Sequence, residues 1–292
     1  MTAQRTSPPE RSEITREPIA LDSLKVAEQP LSVWERAWNS GLLRKSVLLI
    51  LMAIAWELYA RWLNNPLLVP TFSATVEAFW EGIARGGLLN RAAFSVRVLL
   101  MGYSAGILIA AILTAVAVSS RIGTDLLETL TSMFNPLPAI ALLPLALIWF
   151  GLGNPSLMFV MVHSVLWPVA LNTHSGFTAV STTLRMVGQN CGLTGLPYVL
   201  KILIPAAFPS ILTGLKIGWA FAWRTLIAAE LVFGVSSGKG GLGWFIYENK
   251  NLLEVPSVFA GLFSVILIGL LVENLVFRTI EARTVRRWGM QS

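Results

Sequence analysis

The sequence predicts an all-α integral membrane protein with six transmembrane helices. The 292 residues are 54% hydrophobic and only 13% charged, whereas a soluble domain carries about 25% charged residues. Several apolar stretches reach the length of about 20 residues that crosses the hydrocarbon core of a bilayer. Residues 129–184 contain no Asp, Glu, Lys or Arg at all, which is enough chain for two spans.

The charge and cysteine content exclude several other classes of protein. The net charge is +6, but the basic residues lie beside apolar spans, where they act as topology signals rather than as a nucleic-acid surface. The chain has one cysteine, Cys191. That excludes an intramolecular disulfide framework and a zinc site built from several cysteines.

The first part of the chain divides into a leader and the beginning of a membrane domain. Residues 1–44 are polar, proline-containing and mixed in charge, without the apolar region of a signal peptide, and predict a disordered cytoplasmic leader. Residues 45–292 then form the predicted six-helix domain. Its first span covers residues 46–63, where Glu57 and Arg61 have the i, i+4 spacing of an ion pair. A short external helix over 73–83 follows.

The next three spans include the stretch without charge. The second span covers residues 98–118. The third span contains Asn135 and Pro138, and prolines in membrane helices often mark irregular helix that lines a cavity. The fourth covers 156–173 and contains His163. A lone membrane histidine is more often a hydrogen-bonded packing residue than a ligand, and no second His, Cys or acid stands at metal spacing.

The fifth span, residues 205–234, contains three charged residues. Lys216 is expected near the inner boundary, with its stem snorkelling. Arg224 then falls near the bilayer centre, where a guanidinium needs water, a partner or protein interior. It either pairs with an acid, Glu57 or Glu230 of a second protomer, or it lines a path and attracts an anion.

A glycine-rich segment precedes the sixth span, which covers residues 255–272. Gly238, Gly240, Gly241 and Gly243 predict a flexible external loop. The segment is not a phosphate-binding P-loop, because the spacing of its glycines is wrong and no Ser or Thr follows the lysine. Nucleotide binding is therefore not predicted for this chain.

The segment between the fourth and fifth spans, residues 185–207, predicts a helix, a turn and a second helix. Gly192 permits the positive φ of a sharp reversal, and Pro205 suits the first turn of the following helix. The run Gly, nine residues, Ile-x-Ile-Pro that starts at Gly192 resembles the cytoplasmic coupling loop of ABC-importer permeases. The Glu-Ala-Ala that opens the family pattern is replaced here by Met186, Val187 and Gly188.

Two further stretches resemble the same family. The run NPLPAIALLPLALIWFGLG in the third span and ILTGLKIGWAFAWRTLIAAEL in the fifth are similar to permeases of the nitrate/sulfonate/taurine branch. The resemblance covers about residues 45–290. It implies a type I ABC-importer permease fold with a coupling loop at about 174–204.

The resemblance also implies partners and roles. The chain would form half of a pore with a second copy of itself, surrounded by membrane lipid, with two cytoplasmic ATP-binding subunits and a periplasmic substrate-binding protein. It would be a non-catalytic subunit without a cofactor, ATP and Mg being bound by the ATPase subunits. The residues assigned to the coupling loop are Arg185, Gly192, Leu193, Leu196, Tyr198, Ile202 and Pro205. Those assigned to the substrate pathway are Asn135, Pro138, His163, Arg224 and Glu230.

The sequence also gives expectations for the membrane topology and for the transported solute. Basic residues are more numerous on the side of the two termini, which predicts cytoplasmic termini in a bacterial inner membrane. The expected solute is an aliphatic sulfonate or taurine, nitrate or bicarbonate; the alternative is an aromatic carboxylate or a thiamine-precursor pyrimidine.

Proteins of other classes remain as rivals. A secondary transporter or channel would need a relay of ionisable groups or an inverted repeat. A membrane-embedded enzyme would need a cluster of His or acids at one depth. Neither pattern is evident in this sequence.

Overall fold

The computed structural model describes Ser32, Glu35 and residues 38–233 and 240–287, and these residues form helices without any strand. Twelve α-helices are numbered in chain order: α1 Gly41–Leu63, α2 Phe72–Ala84, α3 Leu88–Ser119, α4 Arg121–Phe134, α5 Leu143–Phe150, α6 Asn154–Thr178, α7 Thr182–Asn190, α8 Gly195–Tyr198, α9 Ile204–Phe233, α10 Leu242–Asn251, α11 Val255–Leu271 and α12 Arg278–Arg283. A 3₁₀ turn, Ala139–Leu142, precedes α5. The π-helical turns Val199–Leu203 and Val272–Phe277 join α8 to α9 and α11 to α12.

Among the described residues, five helical stretches are long and apolar enough to cross a membrane. They are Gly41–Leu63, Leu88–Ser119, Asn154–Thr178, Gly195–Val232 and Val255–Arg283. A further pair, Arg121–Phe134 and Ala139–Phe150, is bent by 86° and makes a sixth span if it is counted as one broken helix. The prediction of an all-α membrane protein is confirmed, with the third span broken where the sequence placed its prolines.

The described residues fall into two compact units, those up to Met52 and those from Ala53 onward. The leader predicted for residues 1–44 lies almost entirely outside the described residues.

The Glu57–Arg61 pair near the end of α1 is confirmed. Arg61 Nη2 lies 2.7 Å from Glu57 Oε1. The Glu57 carboxylate also accepts hydrogen bonds from the backbone N–H and the hydroxyl of Ser73, both at 3.0 Å. Thr71 caps α2 by accepting a hydrogen bond from Ala74 N–H. Glu57 therefore already has partners within its own chain.

Helices α3, α6 and α9 form the centre of the second unit. Close approach of α3 and α6 depends on glycines, because a Cβ at Gly102 would lie 2.5 Å from Met161 Cε and a Cβ at Gly106 would lie 2.7 Å from Val165 Cβ. Small residues allow membrane helices to gain van der Waals contact along their whole length. Val165 is fully buried. This packing fixes α6, the helix that carries His163.

The prediction of a flexible glycine loop is wrong for its described residues. Gly240, Gly241 and Gly243 are buried, and the Gly240 carbonyl accepts a hydrogen bond of 3.1 Å from Arg91 Nη1. A Cβ at Gly241 would lie 2.2 Å from a Glu230 carboxylate oxygen, so glycine is needed there for close packing. Gly238 lies outside the described residues.

Candidate functional site

A cavity of about 320 Å³ lies where the bend between α4 and α5 faces α6 and α9. Four of the five residues predicted for the substrate pathway line it, namely Asn135, Pro138, His163 and Arg224. Residues that the sequence analysis did not single out complete the wall, among them Leu137, Ile140, Ser164, Trp167, Phe221 and Thr225. The structure thus brings together side chains from three separate predicted spans.

The bend itself follows from the local sequence. Pro136 and Pro138 have no backbone N–H and disrupt helical hydrogen bonding. At the end of α4, a hydrogen bond of 3.0 Å runs from Asn135 N–H to Thr131 O. Helical hydrogen bonding resumes with a bond of 2.9 Å from Ala141 N–H to Pro138 O. Irregular backbone at membrane depth is tolerated where it is buried in protein or lines a water-filled cavity. This bend lines the cavity of about 320 Å³.

Arg224 has no carboxylate partner among the described residues. Its Nε donates to Ala220 O at 2.9 Å, and its Cζ lies 5.1 Å from the centroid of the Phe221 ring. None of the described residues that line the cavity is an Asp or a Glu. The acids considered as partners are engaged elsewhere in the same chain, Glu57 with Arg61 and Glu230 with Ser95. The positive charge of Arg224 is therefore not neutralised by the described part of its own chain.

His163 and Trp167 carry buried ring nitrogens whose hydrogen bonding is incomplete. His163 Nε2 and Trp167 Nε1 have no partner within the described part of the chain. The Trp167 ring is held in place by stacking on Phe134, with centroids 5.5 Å apart and planes inclined by 11°. Buried polar atoms in proteins are nearly always paired. These nitrogens are accordingly candidates for an acceptor that the cavity gains when it is occupied or rearranged.

Glu230 lies apart from the other four pathway candidates. It is 3% exposed and accepts hydrogen bonds from Ser95 Oγ at 2.8 Å and from Gly243 N–H at 2.8 Å. Ser95 Oγ in turn accepts from Leu242 N–H at 2.9 Å. The carboxylate ties α3 and α9 to the first turn of α10, where the helix dipole favours a negative charge. This geometry is that of a structural clamp.

The segment between α6 and α9 forms the predicted helix, turn and helix. Gly192 has φ +72°, as expected for a reversal at glycine. Its N–H donates to Gln189 O at 2.9 Å, and Leu193 N–H donates to Gly188 O at 3.0 Å. These two bonds are those of a Schellman motif, which ends a helix with a glycine in the left-handed conformation.

Contacts within this segment account for the glycine at one of the three positions that depart from the family pattern. A Cβ at Gly188 would lie 3.0 Å from both Tyr198 Cε2 and Ile202 Cγ1, so α7 approaches α8 and the π-helical turn closely. Glycine at the last position of the missing Glu-Ala-Ala permits this contact. Tyr198 also packs against the small cluster around Phe177 and Leu203, and it is therefore partly buried.

The remaining loop candidates divide into anchors and exposed residues. Arg185 donates to Phe177 O at 2.5 Å and to Val180 O at 3.1 Å, which places a cation at the C-terminal end of α6, where it stabilises the helix. Leu196 is 68% exposed, whereas Leu193 is half-buried. Pro205 stands in the first turn of α9, as predicted.

Several features of the structure were not predicted from the sequence. Lys216 Nζ lies 2.6 Å from Glu281 Oε2, so it pairs with α12 rather than only snorkelling. Met186 and Leu200 extend the exposed apolar surface of the loop. The only sequence signal for the Lys216 pair was an acid among the arginines that follow the last span.

Comparison with known proteins gives consistent matches. The family model described as binding-protein-dependent transport system inner membrane component matches residues 102–286. A putative ABC transporter permease protein of Methanocaldococcus jannaschii is 33% identical over 80% of this chain and 88% of its own. The nitrate import permease protein NrtB of Leptolyngbya laminosa is 32% identical, covering 69% and 71%. The putative aliphatic sulfonates transport permease protein SsuC of Escherichia coli is 30% identical, covering 75% and 82%.

Proposed function

Because the chain belongs to the family of binding-protein-dependent transport system inner membrane components, the permease subunits of ABC importers, we propose that it forms half of an ATP-driven import pore for a small anionic solute. The solute class is aliphatic sulfonate or taurine, nitrate or bicarbonate. The names of the sulfonate and nitrate relatives support this class. The termini would lie in the cytoplasm.

The observation that carries the proposal is the cavity beside Arg224. A guanidinium in a membrane-spanning segment is unfavourable unless it faces water or a partner. Here its charge lies in a cavity whose lining, in the described part of the chain, contains no acid. A passing anion supplies the missing negative charge, and two copies of the chain would present two such arginines to one path.

The proposed partner proteins follow from the separate roles of the subunits in ABC importers. Two cytoplasmic ATP-binding subunits would bind ATP and Mg, since the sequence contains no nucleotide-binding motif, and a periplasmic binding protein would deliver the solute. The exposed apolar surface of the coupling loop, which includes Met186, Leu196 and Leu200, offers the ATPase a docking surface.

The loop is attached in a way that suits transmission of movement. Arg185 hydrogen bonds anchor α7 to the end of α6, and Tyr198 packs α8 against the start of α9. The same two helices carry His163 and Arg224 to the cavity. His163 lies about 22 Å along α6 from Thr178, at 1.5 Å per residue. Rigid movement of the loop would therefore reach the cavity through two packed helices.

The single cysteine offers a direct test of docking. Cys191 is exposed beside Gly192, and an environment-sensitive fluorophore attached there in lipid nanodiscs should change its emission saturably as the ATPase subunit is added. The matched control is Cys191→Ser combined with Leu68→Cys, which labels an exposed residue between α1 and α2 and should not respond. An equal response at both positions, or none at Cys191, would contradict the assignment of the loop.

A further inference from the structure

We infer that the cavity beside Arg224 selects organic anions, in which a sulfonate or carboxylate group is attached to an apolar body, over bare inorganic oxyanions. The inference rests on the proposed transport of anions and narrows its substrate class.

The charged end of such a solute has one partner that matches it. Arg224 is the one ionised group that lines the cavity in the described part of the chain. Its Nε is engaged with Ala220 O, which leaves the terminal nitrogens for a ligand. A guanidinium binds two oxygens of a sulfonate or carboxylate at once, which gives orientation as well as affinity.

Beside Arg224, the lining offers an inorganic ion the Trp167 Nε1–H and the His163 ring, and neither Trp167 Nε1 nor His163 Nε2 has a partner among the described residues. The Ser164 and Thr225 hydroxyls hydrogen-bond each other at 3.0 Å, and Ser164 also bonds Val160 O. Asn135 contributes an amide. The lining also contains Leu137, Ile140 and Phe221, so a nitrate or bicarbonate ion that left water for this cavity would lose hydration on the side that faces these apolar residues.

The size and the walls of the cavity favour a larger solute. A volume of about 320 Å³ corresponds to roughly ten water molecules at the density of the liquid, far more than one inorganic oxyanion needs. Trp167, Phe221, Leu137 and Ile140 supply apolar wall. Stacking on Phe134 holds the Trp167 ring, so this wall is ordered before a ligand arrives. Sites of this composition bind ligands by burying apolar surface around a few polar groups.

Binding to the full chain in lipid nanodiscs, without ATP or partner proteins, tests the inference. The ligands are nitrate, bicarbonate and the alkanesulfonates from methane- to hexanesulfonate, measured by calorimetry. Each buried methylene should tighten binding about three- to fourfold, from about 0.8 kcal/mol per CH₂. Hexanesulfonate should bind at least tenfold more tightly than nitrate. Equal binding of nitrate and hexanesulfonate, or no gain with chain length, would overturn the inference.

Variants of the chain distinguish recognition of the anionic group from recognition of the apolar part of the solute. Arg224→Gln should weaken every sulfonate at least tenfold. Phe221→Ala should reduce the gain per methylene while leaving methanesulfonate within about twofold, and Phe150→Ala, an exposed residue outside the cavity lining, should leave the gain unchanged. If both phenylalanine variants behave alike, the cavity is not the binding site. The binding measurement does not depend on ATP-driven uptake. If affinity does not rise with chain length while ATP-driven uptake is normal, the selectivity for organic anions is refuted and the proposed import function is not.

Discussion

Replacing Gly192 by valine should uncouple ATP hydrolysis from solute uptake. The residue has φ +72°, and a Cβ built there meets no heavy atom within 4 Å. Steric crowding with neighbours is therefore absent, and the effect of a side chain is confined to the backbone. An L-residue in the left-handed region costs about 1–2 kcal/mol, and a β-branched residue is a genuine outlier there. At 1.4 kcal/mol per tenfold change, about 2 kcal/mol lowers the population of the folded turn roughly 30-fold.

The assay is the ratio of solute transported to ATP hydrolysed in proteoliposomes that contain the chain, the ATPase subunits and the binding protein. Gly192→Val should lower this ratio at least tenfold while the amount of inserted chain stays the same. Gly192→Asn is the matched control, because asparagine tolerates the left-handed conformation, and its ratio should stay close to that of the wild type.

Two outcomes would refute this reasoning about the turn. Normal coupling in Gly192→Val would mean that the left-handed turn is not needed for transmission. An equal loss in Gly192→Asn would mean that the ATPase excludes any side chain at this position, which is a docking effect rather than a conformational one.

Two further predictions concern contacts that hold the helices together. Gly241→Ala places a Cβ 2.2 Å from the Glu230 carboxylate, and overpacking of this kind costs about 1–3 kcal/mol, so the melting temperature in detergent should fall by several degrees. Gly41→Ala is the control, because a Cβ there meets no atom within 4 Å, and it should leave the melting temperature unchanged. Equal melting temperatures for the two variants would contradict the structural role of the Glu230 contacts. Lys216→Met removes the 2.6 Å pair with Glu281 and should lower the free energy of unfolding by about 1 kcal/mol, since both side chains are partly exposed. In the Lys216→Met background, Glu281→Gln should cost less than it does in the wild type, where Glu281 also lies 3.8 Å from Arg286; fully additive losses in the double variant would contradict a direct pair.

Local sequence rules predicted the features that depend on short spacings. The i, i+4 spacing of Glu57 and Arg61 was sufficient for their pair, because residues four apart share one face of a helix. The spacing around Gly192 was sufficient for the turn. Composition alone predicted the class, since a chain with 13% charged residues cannot cover a soluble surface.

Features that depend on long-range packing were beyond those rules. Ser95 and Glu230 are 135 residues apart in sequence, and no local pattern pairs them. The prolines at the α4–α5 bend predicted an interruption but not the 86° angle, which depends on the surface of α6 and α9. Gly241 was misread as a sign of mobility, because the sequence does not distinguish a glycine that bends freely from one that admits a neighbouring carboxylate.

ATP-dependent accumulation of a labelled alkanesulfonate in proteoliposomes tests the central claim most directly. Accumulation against a concentration gradient is expected only when two copies of the chain, the ATPase subunits, the binding protein and ATP-Mg are all present. Arg224→Gln should lower uptake far more than it lowers basal ATPase activity. Transport at the full rate by vesicles that contain this chain alone would contradict the account and identify a secondary transporter or a channel.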